Sequence, residues 1–138
     1  MGEALNNTGA TTAFATWVGS WFTGVPWPMV LFIALLIYFY VHYAFASITT
    51  HVLALYPAFA VMLIAVGVPP GLTAYALACL ANLTAGLTHY GTTTGPIVFA
   101  ERYVTFGEWW RVGFVVSVAN LLIWLTVGFA WWKALGYW

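Results

Sequence analysis

Two hydroxyl-rich clusters interrupt apolar segments and are the candidate ligand-binding residues of the chain. The first is Ser47-Ile48-Thr49-Thr50-His51, and the second runs from Thr88 to Pro96. Hydroxyl groups donate hydrogen bonds to a carboxylate without the cost of burying an arginine in lipid. A helix that begins at such a break adds free amide N–H groups and a positive dipole end. The pattern predicts an anion site, and its candidate residues are Ser47, Thr49, Thr50, Thr92, Thr93, Thr94 and Gly95.

The alternative for each serine or threonine is structural. Hydroxyls in membrane helices often bond back to the carbonyl four residues earlier. Both clusters, however, stand beside glycine, proline or a short segment, and irregular backbone at membrane depth is tolerated only where it lines a cavity or is buried in protein. The combination favours a binding site near the midplane, as in secondary transporters.

The three histidines lie in or near these clusters. His42 is flanked by aromatic residues within an apolar run, which predicts a satisfied core histidine, whereas His51 ends the first cluster and His89 lies in the second. Paired histidines inside a membrane can ligate haem, but the spacing shows no His-x3-His pair and no cysteine partner. The pattern therefore predicts no metal ligands, and a haem-binding membrane cytochrome is the weaker alternative.

Composition identifies the elements that must position these residues. Of the 138 residues, 64% are hydrophobic, 20% aromatic and only 4% charged, with a net charge of +0. Such a chain cannot cover a water-facing surface, which excludes a soluble enzyme, a nucleic-acid binder and a disordered tail. It predicts an all-α, multi-pass membrane protein surrounded by lipid.

The hydropathy pattern divides the chain into helices of unequal length. Residues 13–24 fit an interfacial amphipathic helix. Residues 29–46 would rise about 27 Å and nearly span the bilayer, while residues 52–66 and 72–87 would rise only about 22 Å and 24 Å. Residues 112–132 would rise about 31 Å and span it fully.

Charge indicates the orientation. Glu101, Arg102, Glu108 and Arg111 mark one membrane surface, and Lys133 marks the other. The positive-inside rule places the 101–111 loop in the cytoplasm and the C-terminus outside. The polar opening, residues 2–9, lacks Lys and Arg and resembles the interior of a longer protein, so the chain is expected to be a fragment.

Several longer motifs resemble one family. These motifs are Phe45–His51, Leu87–Phe99, Gly107–Phe114 and Trp131–Trp138. Together they resemble the C-terminal part of the divalent anion/sodium symporters, with the citrate/succinate, tartrate/succinate and plastidic 2-oxoglutarate/malate exchangers as the most similar branch.

The resemblance implies a fold of two inverted repeats, each with a re-entrant helical hairpin and a broken helix. Residues 1–138 would form a single transmembrane region from the second repeat, with the hairpin at about 28–66, the broken helix at about 72–100 and the last span at about 110–132. The partners implied are a missing N-terminal half, a second protomer in a homodimer and a small carboxylate substrate. The implied location is a bacterial cytoplasmic membrane.

The resemblance also implies roles for the two clusters. The family's Ser-Asn-Thr hairpin motif falls on Ser47-Ile48-Thr49, and its unwound loop falls on Thr92–Thr94, followed by Gly95. In the symporters this asparagine contacts the substrate and lies beside a sodium site, whereas the side chain of Ile48 can bind neither the substrate nor sodium. This departure weighs against Na⁺ as the coupling ion, favours exchange and leaves His51 or His89, when protonated, to offset substrate charge.

The implied function is secondary transport of di- or tricarboxylates by alternating access, without a cofactor and without catalytic residues. The main alternative is a structural or assembly subunit of a membrane complex. An enzyme is not indicated, because no nucleophile triad or metal-ligand spacing occurs.

Overall fold

The computed structural model describes Trp17, residues 20–22 and residues 24–138, and all regular elements in this part of the chain are helices. The α-helices are α1 (Trp27–Tyr40), α2 (Ile48–Ala65), α3 (Pro70–Leu83), α4 (Gly95–Ala100), α5 (Phe106–Ile123) and α6 (Phe129–Ala134). Three stretches are long and apolar enough to cross a membrane: Trp27–Ala44, Ile48–Ala65 and Phe106–Ala134. The prediction of an all-helical, multi-span protein is confirmed. The interfacial helix predicted for residues 13–24 lies largely outside the described residues.

Short turns of tighter or wider helix extend three of these elements. A 3₁₀ turn, Val41–Ala44, follows α1, and a second, Thr84–Gly86, follows α3. A π-helical turn, Trp124–Gly128, joins α5 to α6, so that helical structure continues from Phe106 to Ala134. Within the π turn, the Thr126 hydroxyl donates to the Leu122 carbonyl at 2.6 Å.

Proline, glycine and hydroxyl residues set the ends of the first three helices. Prolines occupy the first turns of α1 and α3, where their missing N–H costs no intrahelical bond. Ser47 caps α2, because its Oγ accepts the Thr50 amide at 3.2 Å. After α2 the chain turns at Gly67, whose φ of 95° disfavours residues with a Cβ.

The charged segment before the last span is shorter than the sequence predicted. We expected a loop over residues 101–111, but α5 begins at Phe106. Thr105 and Glu108 form a capping box in which each side chain accepts the other's backbone amide. Glu108 and Arg111 therefore lie in the first two turns of a helix, and the connection contains only residues 101–105. A Thr-x-x-Glu pattern satisfies otherwise unpaired amides and starts a helix there.

The segment predicted as a broken helix contains a long irregular stretch. Helix α3 ends at Leu83, followed by the 3₁₀ turn, and residues 87–94 have no regular helix before α4. Helix α4 covers six residues, Gly95–Ala100. The interruption is therefore wider than the polar cluster alone.

Helices α1, α2 and α3 pack against one another and form most of the apolar core. Tyr38 and Leu63 lie at its centre with no exposed surface, and Leu121 and Trp132 join it from the last helical stretch. Much of α5 remains open: Val112, Val115, Leu122 and Ile123 are exposed. Apolar side chains on the outside suit a helix that contacts lipid or other membrane helices.

Candidate functional site

The first polar break places one hydroxyl in the helix cap and leaves another free. Ser47 Oγ accepts the Thr50 amide at 3.2 Å and lies 3.3 Å from Thr50 Oγ1. The Thr49 side chain is exposed and has no hydrogen-bond partner in the described part of the chain. The first amides of α2 have no intrahelical acceptor either, as at any helix start. Thr49 and these amides are therefore free to donate hydrogen bonds to a ligand.

The second polar break repeats this arrangement. Thr92 Oγ1 accepts the Gly95 amide at 3.0 Å and lies 3.3 Å from Thr94 Oγ1. The Thr93 side chain is exposed, and no described group is hydrogen-bonded to it. Each break thus uses one hydroxyl for local structure and presents another to a ligand. Gly95 is buried, and a Cβ there would lie 2.5 Å from the His89 carbonyl oxygen.

Two long-range contacts bring the breaks next to each other. His42, just before the first break, hydrogen-bonds His51 through the two Nδ1 atoms at 3.1 Å. The opposite edge of the His42 ring touches the second break, since a Cβ on Gly91 would lie 2.8 Å from His42 Nε2. The Tyr90 hydroxyl donates to the Tyr43 carbonyl at 2.7 Å, which ties the same two segments together. Among the described residues, no hydrogen bond joins the hydroxyls of one break directly to those of the other.

His42 was missed as a site residue. We predicted a satisfied core histidine, and the ring is indeed fully buried, but only its Nδ1 is hydrogen-bonded. Its Nε2 has no hydrogen-bond partner within the described structure. The signal available in the sequence was that His42 precedes the first break and a second histidine, His51, ends it.

The region around His42 holds several buried polar atoms without partners. These atoms are His42 Nε2, His51 Nε2, Thr88 Oγ1 and Tyr38 Oη, and all four side chains have 0% exposure. Buried polar groups in proteins are normally hydrogen-bonded, and each exception calls for an explanation such as a bound ligand or a change of state. The concentration of such atoms makes this region a candidate ligand-binding or proton-binding site.

His89 lies in a different environment from His51. Its half-buried ring contacts Phe99, Tyr90 and Phe106, with ring centroids 4.6, 5.0 and 5.3 Å away. Its Nδ1 has no hydrogen-bond partner among the described groups. No ring contact or hydrogen bond joins His89 to His42 or His51 in the part of the chain that the structure describes. The two candidates for charge compensation are therefore separate sites.

The described residues contain no group of three or more His, Cys, Asp or Glu side chains suited to a metal ion. The two neighbouring imidazoles point their Nδ1 atoms at each other, which engages one potential ligand atom of each ring. The arrangement suits hydrogen bonding to a small anion better than metal coordination.

The sequence is similar to those of known membrane transporters. The chain matches the sodium:sulfate symporter transmembrane region over residues 1–138. It is 47% identical to dicarboxylate transporter 1, chloroplastic, of Arabidopsis thaliana over 115 residues, which cover 83% of this chain and 21% of that protein. It is 40% identical over 138 residues to the putative malate transporter YflS of Bacillus subtilis, covering 100% of this chain and 29% of the relative.

The same comparison includes the inner membrane protein YbhI of Escherichia coli, 35% identical over 107 residues that cover 78% of this chain and 22% of the relative. The chain thus spans less than a third of the length of these relatives. The match over the whole chain and the helical, membrane-spanning structure lead to one assignment. The chain belongs to the sodium:sulfate symporter family, whose members are membrane transporters and not enzymes.

Proposed function

We propose that this chain is part of a longer transporter that moves di- or tricarboxylates across a membrane by alternating access, with exchange as the mode. The observation that supports the proposal most directly is the meeting of two polar breaks through His42 and Gly91. Where two interrupted segments meet, hydroxyl and amide groups from both segments can donate hydrogen bonds to one ligand. Transporters of other folds bind their substrates between broken helices in this way.

The donors fit a carboxylate. Thr49 and Thr93 are exposed and unpaired within the described residues, and Thr49 lies in the first turn of the 18-residue helix α2. A helix start offers amide N–H groups and a partial positive charge to an anion. Ser47, Thr50, Thr92, Thr94 and Gly95 complete the proposed cradle, mainly by holding the backbone of each break in place.

The relatives support the substrate class. Two of them are named as transporters of dicarboxylates or malate. Membership of a transporter family favours transport over the two alternatives that the sequence left open, an assembly subunit and a haem-binding cytochrome. Citrate, succinate, 2-oxoglutarate, malate and tartrate are the substrates to compare.

We propose that charge compensation comes from a histidine rather than from Na⁺. Ile48 stands where the symporters of the family have an asparagine, and its side chain offers no oxygen to a cation. His51 is the stronger candidate because it is two residues from Thr49 and is hydrogen-bonded to His42, which contacts Gly91 of the second break. Transport that keeps its rate and its pH profile in His89→Ala would leave His51 as the charge-compensating residue.

The test replaces the two free hydroxyls. Thr49→Val or Thr93→Val in the complete transporter should weaken malate uptake into proteoliposomes. A hydrogen bond to a charged group is worth about 1.5–3 kcal/mol, so the expected rise in KM is roughly tenfold to 150-fold. Thr126→Val is the matched control, because this exposed threonine bonds only to its own helix.

The outcomes separate binding from folding. All three variants should insert into the membrane and purify in equal amounts, and Thr126→Val should transport at the normal rate. Normal KM values in both Thr49→Val and Thr93→Val would show that the polar breaks do not hold the substrate.

Topology and assembly are proposals as well. We propose that residues 101–105 face the cytoplasm of a bacterial cell, that the C-terminus lies outside and that the complete transporter is a homodimer. Cysteine labelling at position 102 from each side of the membrane would test the orientation, since Arg102 is exposed.

A further inference from the structure

A pair of histidines is buried between the two polar breaks. The Nδ1 atoms of His42 and His51 are 3.1 Å apart, and both side chains have 0% exposure. The rings are not simply stacked, since their centroids are 5.1 Å apart and their planes differ by 38°. The short Nδ1–Nδ1 distance is a hydrogen bond, which requires one donor and one acceptor.

This bond determines which ring nitrogens of the neutral pair can donate a hydrogen bond and which can accept one. One ring carries its proton on Nδ1, so its Nε2 is a bare acceptor. The other ring accepts at Nδ1, so its proton is on Nε2. The neutral pair therefore has one Nε2 donor and one Nε2 acceptor, and neither atom has a hydrogen-bond partner in the described structure.

One added proton changes both outer atoms into donors. The proton comes from solvent and binds the bare Nε2 lone pair, which gives an imidazolium that still donates its Nδ1–H to the neutral partner. A second proton would place hydrogens on both Nδ1 atoms, 3.1 Å apart, and would break the bond between two like charges. The geometry therefore accommodates one proton and opposes two.

The surroundings offer backbone acceptors to a protonated pair. The backbone of Gly91 faces the His42 ring, and the backbone of Tyr38 faces the His51 ring. Neither meets the geometry of a hydrogen bond to Nε2 in this structure.

Few other groups that can carry charge face the pair. Tyr38 on α1 is the titratable neighbour, with its ring 4.5 Å from His51, and Tyr56 on α2 interacts with Tyr38. Phe45 stacks on His51 at 5.3 Å, and Thr88 and Gly91 of the second break do not titrate. The described charged side chains, Glu101, Arg102, Glu108, Arg111 and Lys133, are all exposed, whereas both rings are fully buried.

We propose that His42 and His51 form a single-proton binding site whose occupancy is linked to the binding of the anionic substrate. This inference rests on the proposed function and adds the proton as a second ligand. A lone buried charge is costly, so the empty pair is neutral. Thr49 is two residues from His51, and Thr93 is two residues from Gly91, which contacts His42, so the charge of an anion bound at either threonine stabilises the imidazolium. By linkage, the proton strengthens anion binding to the same degree.

Calorimetry tests the link directly. The heat of malate binding to the complete transporter is measured at pH 8 in several buffers that differ in ionisation enthalpy. Malate is fully ionised there, so the slope of heat against ionisation enthalpy counts protons taken up by the protein. We expect an uptake between zero and one proton per malate at pH 8 and a larger one, still not above one, when the measurement is repeated at pH 7, because the pair accepts a single proton and an imidazole titrates near pH 6.5. Malate binding with no proton uptake would overturn the proposal.

Variants identify the group that takes up the proton. Glutamine at both positions, His42→Gln combined with His51→Gln, keeps hydrogen-bonding side chains but removes both imidazoles, and this double variant should reduce the uptake to near zero. The control is Tyr40→Phe, which removes a nearby interhelical contact, Tyr40 Oη to Ser117 Oγ at 3.2 Å, without touching an imidazole. Unchanged uptake in the double variant would assign the proton to another group and refute the inference.

A second measurement does not depend on substrate. ¹⁵N-histidine NMR of the purified transporter should show one Nδ1–H and one Nε2–H neutral tautomer for the pair, and a gain of one proton, not two, as the pH falls. Should malate fail to bind the wild-type protein, the proposed function fails, while this titration still tests the proton site. Two Nε2–H tautomers with no Nδ1–H signal would refute it.

Discussion

Gly113 is the position at which the contact between α5 and the irregular segment can be tested most directly. A Cβ at Gly113 would lie 2.7 Å from the Gly86 carbonyl oxygen and 2.9 Å from that of Leu87. Both atoms belong to the backbone, so no side-chain rotation can relieve the overlap. Gly113→Ala therefore forces α5 and residues 86–87 apart.

The size of the effect follows from two opposing terms. Extra methyl groups in a packed site typically cost about 1–3 kcal/mol. Alanine in place of glycine inside a helix stabilises by about 0.5–1 kcal/mol. Gly107→Ala, in the first turn of the same helix, is the matched control because nothing lies within 4 Å of its added Cβ. The two variants share the gain in helix propensity to a first approximation, so their difference of about 1–3 kcal/mol reports the packing overlap.

Reversible denaturation of the purified transporter in mixed micelles measures this difference. We expect Gly107→Ala to be at least as stable as the wild type and Gly113→Ala to be less stable than both. Uptake should fall in Gly113→Ala as well, because residues 86–87 lead directly into the second polar break. Equal stability of the two variants would show that α5 does not approach this segment as closely as described.

Two further contacts give predictions of the same kind. Tyr90→Phe removes the 2.7 Å bond to the Tyr43 carbonyl and should lower the free energy of unfolding by about 1 kcal/mol. Tyr103→Phe, at an exposed tyrosine, should leave it unchanged, and an equal loss in both would contradict the role of this bond. Thr105→Ala removes the cap of α5 and should cost about 1 kcal/mol, with faster hydrogen exchange in the first turn, whereas Thr105→Ser should keep the cap. Exchange rates that do not separate the alanine variant from the serine variant would refute the capping role.

Hydropathy was sufficient to predict the class of fold. Long apolar runs with few charges predict membrane helices, and three stretches of the structure meet that description. The Ser47 cap of α2 and the prolines that begin α1 and α3 also act within one turn. These features depend on residues that are neighbours in sequence.

At the start of α5 we took a cluster of charged residues to indicate a loop and overlooked the helix-capping pattern within it. Four charges within eleven residues indicated a loop at the membrane surface. The Thr105–Glu108 capping box begins a helix inside that segment, because pairing the first amides stabilises the helix more than the charges oppose it. Charged residues at a membrane surface are as compatible with the first turns of a helix as with a loop.

The histidine pair could not be predicted from residue type and spacing alone. His42 lies in the 3₁₀ turn and His51 in the first turns of α2, and the distance between their rings depends on the exact rotation of each segment. A 3₁₀ turn has three residues per turn rather than 3.6, so it redirects the His42 side chain relative to the apolar face of α1. The contact with Gly91 depends in addition on the path of residues 87–94, which follow no helical period.

Hydroxyls at a break can be recognised because the break itself exposes them, whereas a buried imidazole acquires its role only from a partner that the fold brings to it. Buried titratable residues that flank a polar break on both sides are therefore the ones to examine in other chains of this kind.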